Sequence, residues 1–252
     1  MRDFTIDKYN LLLETLLGTG HEFQTFEDFI KAPKAKSIIL RHDVDLLPNN
    51  SLRFAKIQKQ HTIKGTYYFR AVPESWDEEI IKKINDLGHE IGYHYECLTT
   101  VNGDLEKGIK DFEKNLNALR KIATVSTICM HGSPMSKHDS KDLWKKYNYK
   151  DFGITGEPYF DLDFNKVFYL TDTGRRWDGD RVSVRDKVNS QINLKFHSTD
   201  EIIVAAKENE LPGQIMLTFH PQRWHDDTIS WTRELIFQNI KNIAKQLFFV
   251  RK

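Results

Sequence analysis

Ser37-Ile38-Ile39-Leu40-Arg41-His42-Asp43-Val44-Asp45 decides the fold, together with Gly88-His89-Glu90-Ile91-Gly92-Tyr93-His94-Tyr95-Glu96. Each stretch joins an apolar run, which reads as a buried strand, to acidic or imidazole groups where that strand should stop. Residues two apart on a strand share a face. Asp43 and Asp45 should therefore point the same way, as should His94 and Glu96. Carboxylates and imidazoles gathered at strand ends suit a divalent metal with a general base beside it.

Outward from these stretches, apolar runs alternate with amphipathic helical patterns. Residues 7–17 predict a helix, with Leu11, Leu12, Leu16 and Leu17 at helical spacing. Asn49 or Asn50 is a candidate cap for a helix over 51–60. Gly65–Phe69 reads as a second strand, Asp77–Leu87 as a helix stopped by Gly88, and Glu90–Tyr95 as a third strand. The clearest helix covers 104–121, with Leu105, Ile109, Phe112, Leu116 and Leu119 as its stripe. Val125–Met130 predicts a fourth strand, ending at His131-Gly132-Ser133-Pro134. A short helix at 140–147 follows, then a strand at Val167–Leu170 that ends on Thr171-Asp172. Thr199–Glu208 reads as a helix capped by Ser198, Gln214–Phe219 as a strand running into His220, and about 231–246 as the last helix.

Strands alternating with helices point to a mostly parallel sheet with helices outside. The expectation is an α/β fold, a distorted, TIM-like (β/α) barrel of about seven parallel strands, with a doubly wound sheet as the other arrangement of such units. The 252 residues suit one domain over 1–252, with 1–35 as an N-terminal helical extension. Residues 148–166 and 174–198 are weakly patterned and are expected to be loops or short hairpins over the site.

Composition narrows the function. Apolar residues make up 39% and charged residues 29%, with a formal net charge of +1, which argues against a nucleic-acid partner or a polybasic membrane patch. No window approaches the roughly 20 apolar residues of a membrane span, and the N-terminus lacks the order of a secretory signal. A cytoplasmic location is the expectation. Two cysteines are too few for a disulfide framework. Cys129 reads as a small buried residue, and Cys97, near His94, as a conceivable ligand.

Asp43, Asp45, His94, Glu96, His131, Asp172 and His220 all fall at the C-terminal ends of predicted strands, the edge that carries the active site in a β/α barrel. Five strands each delivering Asp or His to one edge is not explained by packing. The other histidines take a structural reading: His42 and His89 packed or hydrogen-bonded in the wall, and His21, His61, His138, His197 and His225 in loops or at helix ends.

The order of these motifs resembles the polysaccharide deacetylase superfamily, carbohydrate esterase family four. Asp43-Val44-Asp45, then Gly88 to His94, then His131-Gly132-Ser133-Pro134, then Asp172 to Trp177-Asp178, then Leu217-Thr218-Phe219-His220 follow that family's sequence of motifs across residues 37–224. Gly-His-Glu-Ile-Gly-x-His is the most specific of them. The resemblance implies that Asp43 is a general base taking a proton from the attacking water, that Asp45 and His94 are metal ligands, and that His220 is the general acid for the leaving amine. It implies a divalent metal, zinc first, with cobalt, nickel and iron also suited to such ligands. The chemistry agrees, because an amide needs both a Lewis acid and a proton donor.

The chain departs from the family at three points. Val44 separates the two aspartates. Leu98 stands where the family has a second metal histidine, so a third ligand must come from elsewhere: His131 is the first candidate and Glu96 the second. The family's groove-wall arginine is missing from the fourth strand, and Arg175 or Arg176 is a candidate to orient Asp43. Trp177 and Trp224, which follow site motifs, are candidate sugar-stacking residues.

The implied activity is metal-dependent removal of an acetyl or formyl group from an amino sugar, nucleotide-linked, lipid-linked or in an oligosaccharide, as a precursor of a surface polysaccharide. The alternatives are a metal-independent amidohydrolase on a small amide, a non-catalytic sugar-binding relative, and an unrelated phosphoesterase.

Overall fold

The computed structural model describes residues 2–133, 136–178 and 188–248, with side chains to 244. Pro134 and residues 179–187, part of the second expected loop, lie outside the described residues. The elements in chain order are α1 (Ile6–Leu17), β1 (Glu22–Gln24), α2 (Phe26–Lys31), β2 (Ser37–Val44), α3 (Pro48–Gln60), β3 (Thr66–Phe69), α4 (Glu78–Asp86), β4 (Glu90–Tyr95), α5 (Cys97–Thr100), α6 (Leu105–Arg120), β5 (Ile128–Met130), α7 (Pro158–Asp161), β6 (Val167–Thr171), α8 (Thr199–Lys207), β7 (Gln214–Phe219) and α9 (Thr228–Phe248). Short 3₁₀ turns occur at Ser140–Lys145, Tyr149–Phe152 and Pro221–Arg223.

Among the described residues seven strands form one sheet in the order β5-β4-β3-β2-β7-β6, with β1 beside β2. Every pairing is parallel. The sheet curls into a half-barrel with helices outside, the distorted (β/α) barrel that the alternation predicts. Among the described residues no ladder joins β5 to β6, so the barrel is open between them.

The central strand shows why. All eight residues of β2 are buried, as a parallel strand covered on both faces requires. Ile38, Leu40 and Val44 face the outer core beneath the helices, beside Tyr9, Phe54 and Phe219. Ile39 faces inward, where Phe26, Phe29, Tyr68, Cys129, Leu162 and Met216 fill the half-barrel. The inner position of Arg41 and Asp43 follows from the same alternation. Register aligns the strand ends: Asp43 lies opposite Tyr68, His94 opposite Cys129 and Thr171 opposite Thr218.

Several details differ from the sequence reading. The segment before β2 contributes a strand as well as helices, because β1 pairs with Ser37–Ile39. Helix α3 starts before either candidate asparagine: Leu47 occupies its N-cap position in the left-handed region, and Pro48 sits at the first helical positions. Proline suits that place because it lacks an N–H that would have no helical partner. Asn50 instead donates to the Pro221 and Trp224 carbonyls, at 3.2 and 3.4 Å, tying α3 to the loop after β7. Residues 148–166 are not a plain loop, since α7 lies there. Cys97 and Cys129 are buried thiols, and among the described residues neither forms a disulfide.

Candidate metal and acid–base site

Strand ends β2, β4, β5, β6 and β7 bring Asp43, Asp45, His94, His131, Asp172 and His220 to one edge of the sheet. Three atoms converge there. Asp45 Oδ1 lies 3.7 Å from His94 Nε2 and 3.5 Å from His131 Nε2. Asp45 Oδ1 is buried without a hydrogen-bond partner. An orphaned carboxylate oxygen normally costs a few kcal/mol, and a cation bonded to it removes that cost.

Both imidazoles are fixed by their other nitrogen. His94 Nδ1 is 2.9 Å from the Cys129 carbonyl, to which it donates, leaving the Nε2 lone pair free. Burial holds His94 down at about 3, with His131 adding to the effect, so the ring is neutral. His131 Nδ1 is 2.8 Å from Glu96 Oε2. Burial opposes a proton on His131, but the charges of Asp45 and Glu96 outweigh it and raise its pKa. Glu96 is itself gripped by Arg70, whose Nε and Nη2 donate at 2.9 and 3.0 Å. Burial would raise Glu96; His131 and Arg70 overcome it and hold the carboxyl at about 2. A carboxylate behind a histidine is the usual support of an imidazole that binds metal. Asp45, His94 and His131 are thus a set that could hold a divalent ion. Asp43, His94 and Cys129 also lie close together, but both oxygens of Asp43 are already bonded to Arg41.

That bond is bidentate: Arg41 Nε donates to Asp43 Oδ1 at 2.8 Å and Nη2 to Oδ2 at 2.6 Å. Both residues are buried. Asp43 Oδ2 stands 3.7 Å from His94 Nε2, on the flank of the three-atom cluster.

On the opposite flank His220 Nδ1 is 2.6 Å from Asp172 Oδ1, and its Nε2 is 3.9 Å from Asp45 Oδ2. Asp172 is fully buried and accepts from four donors: His220 Nδ1, the His220 backbone N–H at 2.9 Å, Arg223 Nη1 at 3.0 Å and Trp224 Nε1 at 2.7 Å. Burial alone would raise its pKa, yet His220 and Arg223 hold it at about 2. An ionised Asp172 keeps the His220 proton on Nδ1 and aims Nε2 at the cluster.

Similar folds are known. A family 4 carbohydrate esterase pseudoenzyme from Bacillus anthracis is 15% identical over 84% of this chain and 62% of that one, with a TM-score of 0.46. A peptidoglycan N-acetylglucosamine deacetylase is 16% identical over 84% and 83%, with a TM-score of 0.44. The family 4 carbohydrate esterase PdaA of Bacillus subtilis is 15% identical over 94% and 88%, with a TM-score of 0.39. The match therefore spans less than two thirds of the pseudoenzyme's own length. No protein-family model matches the chain, and no curated protein matches it.

Of the residues expected at the site, Asp43, Asp45, His94, His131, Glu96, Asp172 and His220 come together. Arg175 and Arg176 do not orient Asp43. Arg175 Nη1 donates to the Trp231 carbonyl and its guanidinium lies over the Phe4 and Trp231 rings, while Arg176 pairs with Asp178. Trp177 and Trp224 are 2% and 0% exposed, so neither offers a face to a sugar. Trp177 Nε1 donates to Thr199, and Trp224 supports Asp172. Leu98 is buried in α5 and packs over Gly108 of α6. His42 and His89 are wall residues as expected: His42 bonds the Thr66 carbonyl and stacks on Tyr67, and His89 bridges the Gly65 N–H and the Ala55 carbonyl.

Four contributing residues were not anticipated. Arg41 had a signal, since it sits two residues before Asp43 and so shares its face. Arg70 follows β3 at the same edge. Gln222, whose Nε2 donates to Asp45 Oδ2 at 3.2 Å, and Arg223 lie in the turn after β7, where no spacing marks them.

Proposed function

We propose that this chain is a metal-dependent hydrolase that removes an N-acyl group, acetyl or formyl, from an amino sugar, acting in the cytoplasm on a precursor of a surface polysaccharide. The observation that carries the reading is the convergence of Asp45 Oδ1, His94 Nε2 and His131 Nε2, with Asp43 on one side and the His220–Asp172 pair on the other. Together with the motif order in the sequence, this arrangement supports amide hydrolysis.

Asp45, His94 and His131 would hold the ion, with zinc the first choice for a two-histidine, one-carboxylate set. A divalent ion bound there would polarise the acyl carbonyl and raise the acidity of water. The remaining work belongs to side chains. Asp43 takes the proton of the attacking water, and the bidentate grip of Arg41 fixes where its oxygens point. His220 gives the Nε2 proton to the departing amine, and Asp172 stabilises the imidazolium from behind. Gln222 steadies the Asp45 oxygen that faces His220.

The reading is tested with Asp43→Asn. Loss of a general base typically costs about 10²–10⁴-fold in rate, so turnover of N-acyl amino sugars should fall by that order while bound metal is unchanged. Equal turnover in the variant would refute the role of Asp43.

A further inference from the structure

A cleft of about 450 Å³ opens directly from Asp45, walled by the loop after β2, the turn after β7 and helix α9. That volume falls within the roughly 300–1,000 Å³ of small-ligand sites. Its lining is amphiphilic. Leu46, Leu47 and Phe237 stand 38%, 49% and 51% exposed, and Arg233 and Lys241 reach it from α9. Among the described residues neither cation makes an ion pair; Lys241 Nζ rests 4.1 Å above the centroid of the Phe237 ring. The other charged groups of the lining are engaged. Arg223 is bonded to Asp172, Asp45 belongs to the three-atom cluster, and Glu234 accepts from Gln238 Nε2 at 2.7 Å. Glu234 keeps its negative charge through that neutral bond and acts with Asp45 on Lys241, so the cations outnumber the carboxylates of the lining by one and the wall beside the reacting centre is net positive.

We propose that this cleft binds a phosphate group carried by the sugar substrate, held between Arg233 and Lys241. Arg offers a planar fork matched to phosphate oxygens, and Lys a point charge that tolerates several orientations. The exposed leucines and Phe237 cover the apolar edge of the group attached beyond the phosphate. This inference names a substrate class for the site proposed above and rests on that reading for the identity of the bound sugar.

Equilibrium binding separates the two. N-acetylglucosamine 1-phosphate and its neutral methyl glycoside are titrated by calorimetry into the full chain with zinc present, at low ionic strength. The phosphorylated sugar is expected to bind at least 10-fold more tightly. Arg233→Gln with Lys241→Gln should erase that preference and leave affinity for the methyl glycoside unchanged. Arg233→Lys with Lys241→Arg, which keeps both charges, should retain most of it, and unchanged thermal unfolding would show that both proteins are folded. Equal affinity for the two sugars, no binding of the phosphorylated one, or a preference that survives the double glutamine variant would overturn the inference; the last outcome would place the phosphate on the metal instead. Binding is read without turnover. A phosphate preference erased by the glutamine variant, in a protein that hydrolyses no N-acyl sugar, would refute the hydrolase and keep the phosphate site.

Discussion

At the scale of single residues, the proposed metal site depends on which group holds the ion and which group holds that holder. His131 and Glu96 are within hydrogen-bond distance of each other, and only His131 presents a free nitrogen to Asp45 Oδ1. His131→Ala should therefore lose metal outright. Glu96→Gln should weaken binding by about 10–100-fold, the usual effect of removing a partner behind a ligand. Metal titration of the two variants checks this, and the reverse order would make Glu96 the ligand. Arg41→Met removes the guanidinium that holds both Asp43 oxygens, so turnover should fall while the metal stays. Most of this set was legible, because period-two alternation and strand ends are both visible in sequence. The same rule that pairs Asp43 with Asp45 also pairs Arg41 with Asp43. Gln222 and Arg223 were not legible, since the turn after β7 places them through tertiary packing.

At the scale of elements, β4 carries the tightest constraint. Its inward residues are Glu90, Gly92 and His94. A Cβ at Gly92 would lie 2.3 Å from the Tyr68 ring and 3.1 Å from the Thr127 carbonyl. Tyr68 is buried, with its hydroxyl bonded to Thr127, and has little room to move. Gly92→Ala should destabilise the protein by about 1–3 kcal/mol, as overpacking does, and lower the unfolding temperature by several degrees. An unchanged midpoint would show that β3 and β4 are less closely packed. Elements with a continuous apolar run or a full helical stripe were the legible ones, β3 and β5 among them despite their four and three residues. The bounds of β4 and β7 match the apolar runs residue for residue, and α6 covers nearly all of its predicted range. β1, α2, α5 and α7 are three to six residues long. These carry neither a continuous apolar run nor a full helical stripe, and they form where neighbours hold them, as β2 holds β1.

At the scale of the whole molecule, buried carboxyl groups set how stability depends on pH. Burial raises Glu90 and Glu157 to about 7, against the lowering effect of their hydrogen bonds. A carboxyl whose folded pKa is raised binds its proton more tightly in the native state. Stability is therefore greatest where it is protonated and falls as pH rises from about 4.5 through about 7. The full shift would amount to about 3 kcal/mol at most for each group. Glu90→Gln should flatten the fall between pH 5 and 8 and leave the variant more stable than the parent at pH 8, as denaturant unfolding would show. Glu96 and Asp172 work in the other direction. Their depressed values, about 2, stabilise the fold above the ordinary carboxylate range, and that contribution is lost as pH falls toward 2. Alternating strands and helices made the barrel legible, whereas nothing in the alternation marks that, among the described residues, no ladder closes it between β5 and β6. Among the described residues no helix is long and apolar enough to cross a membrane.

Three side chains at the ends of three strands would make one metal site. Elemental analysis of the purified protein, reconstituted with zinc and freed of excess, tests it most directly beside His94→Ala. Close to one ion per chain is expected in the parent and almost none in the variant. No bound metal in the parent, or equal metal in both, would contradict it.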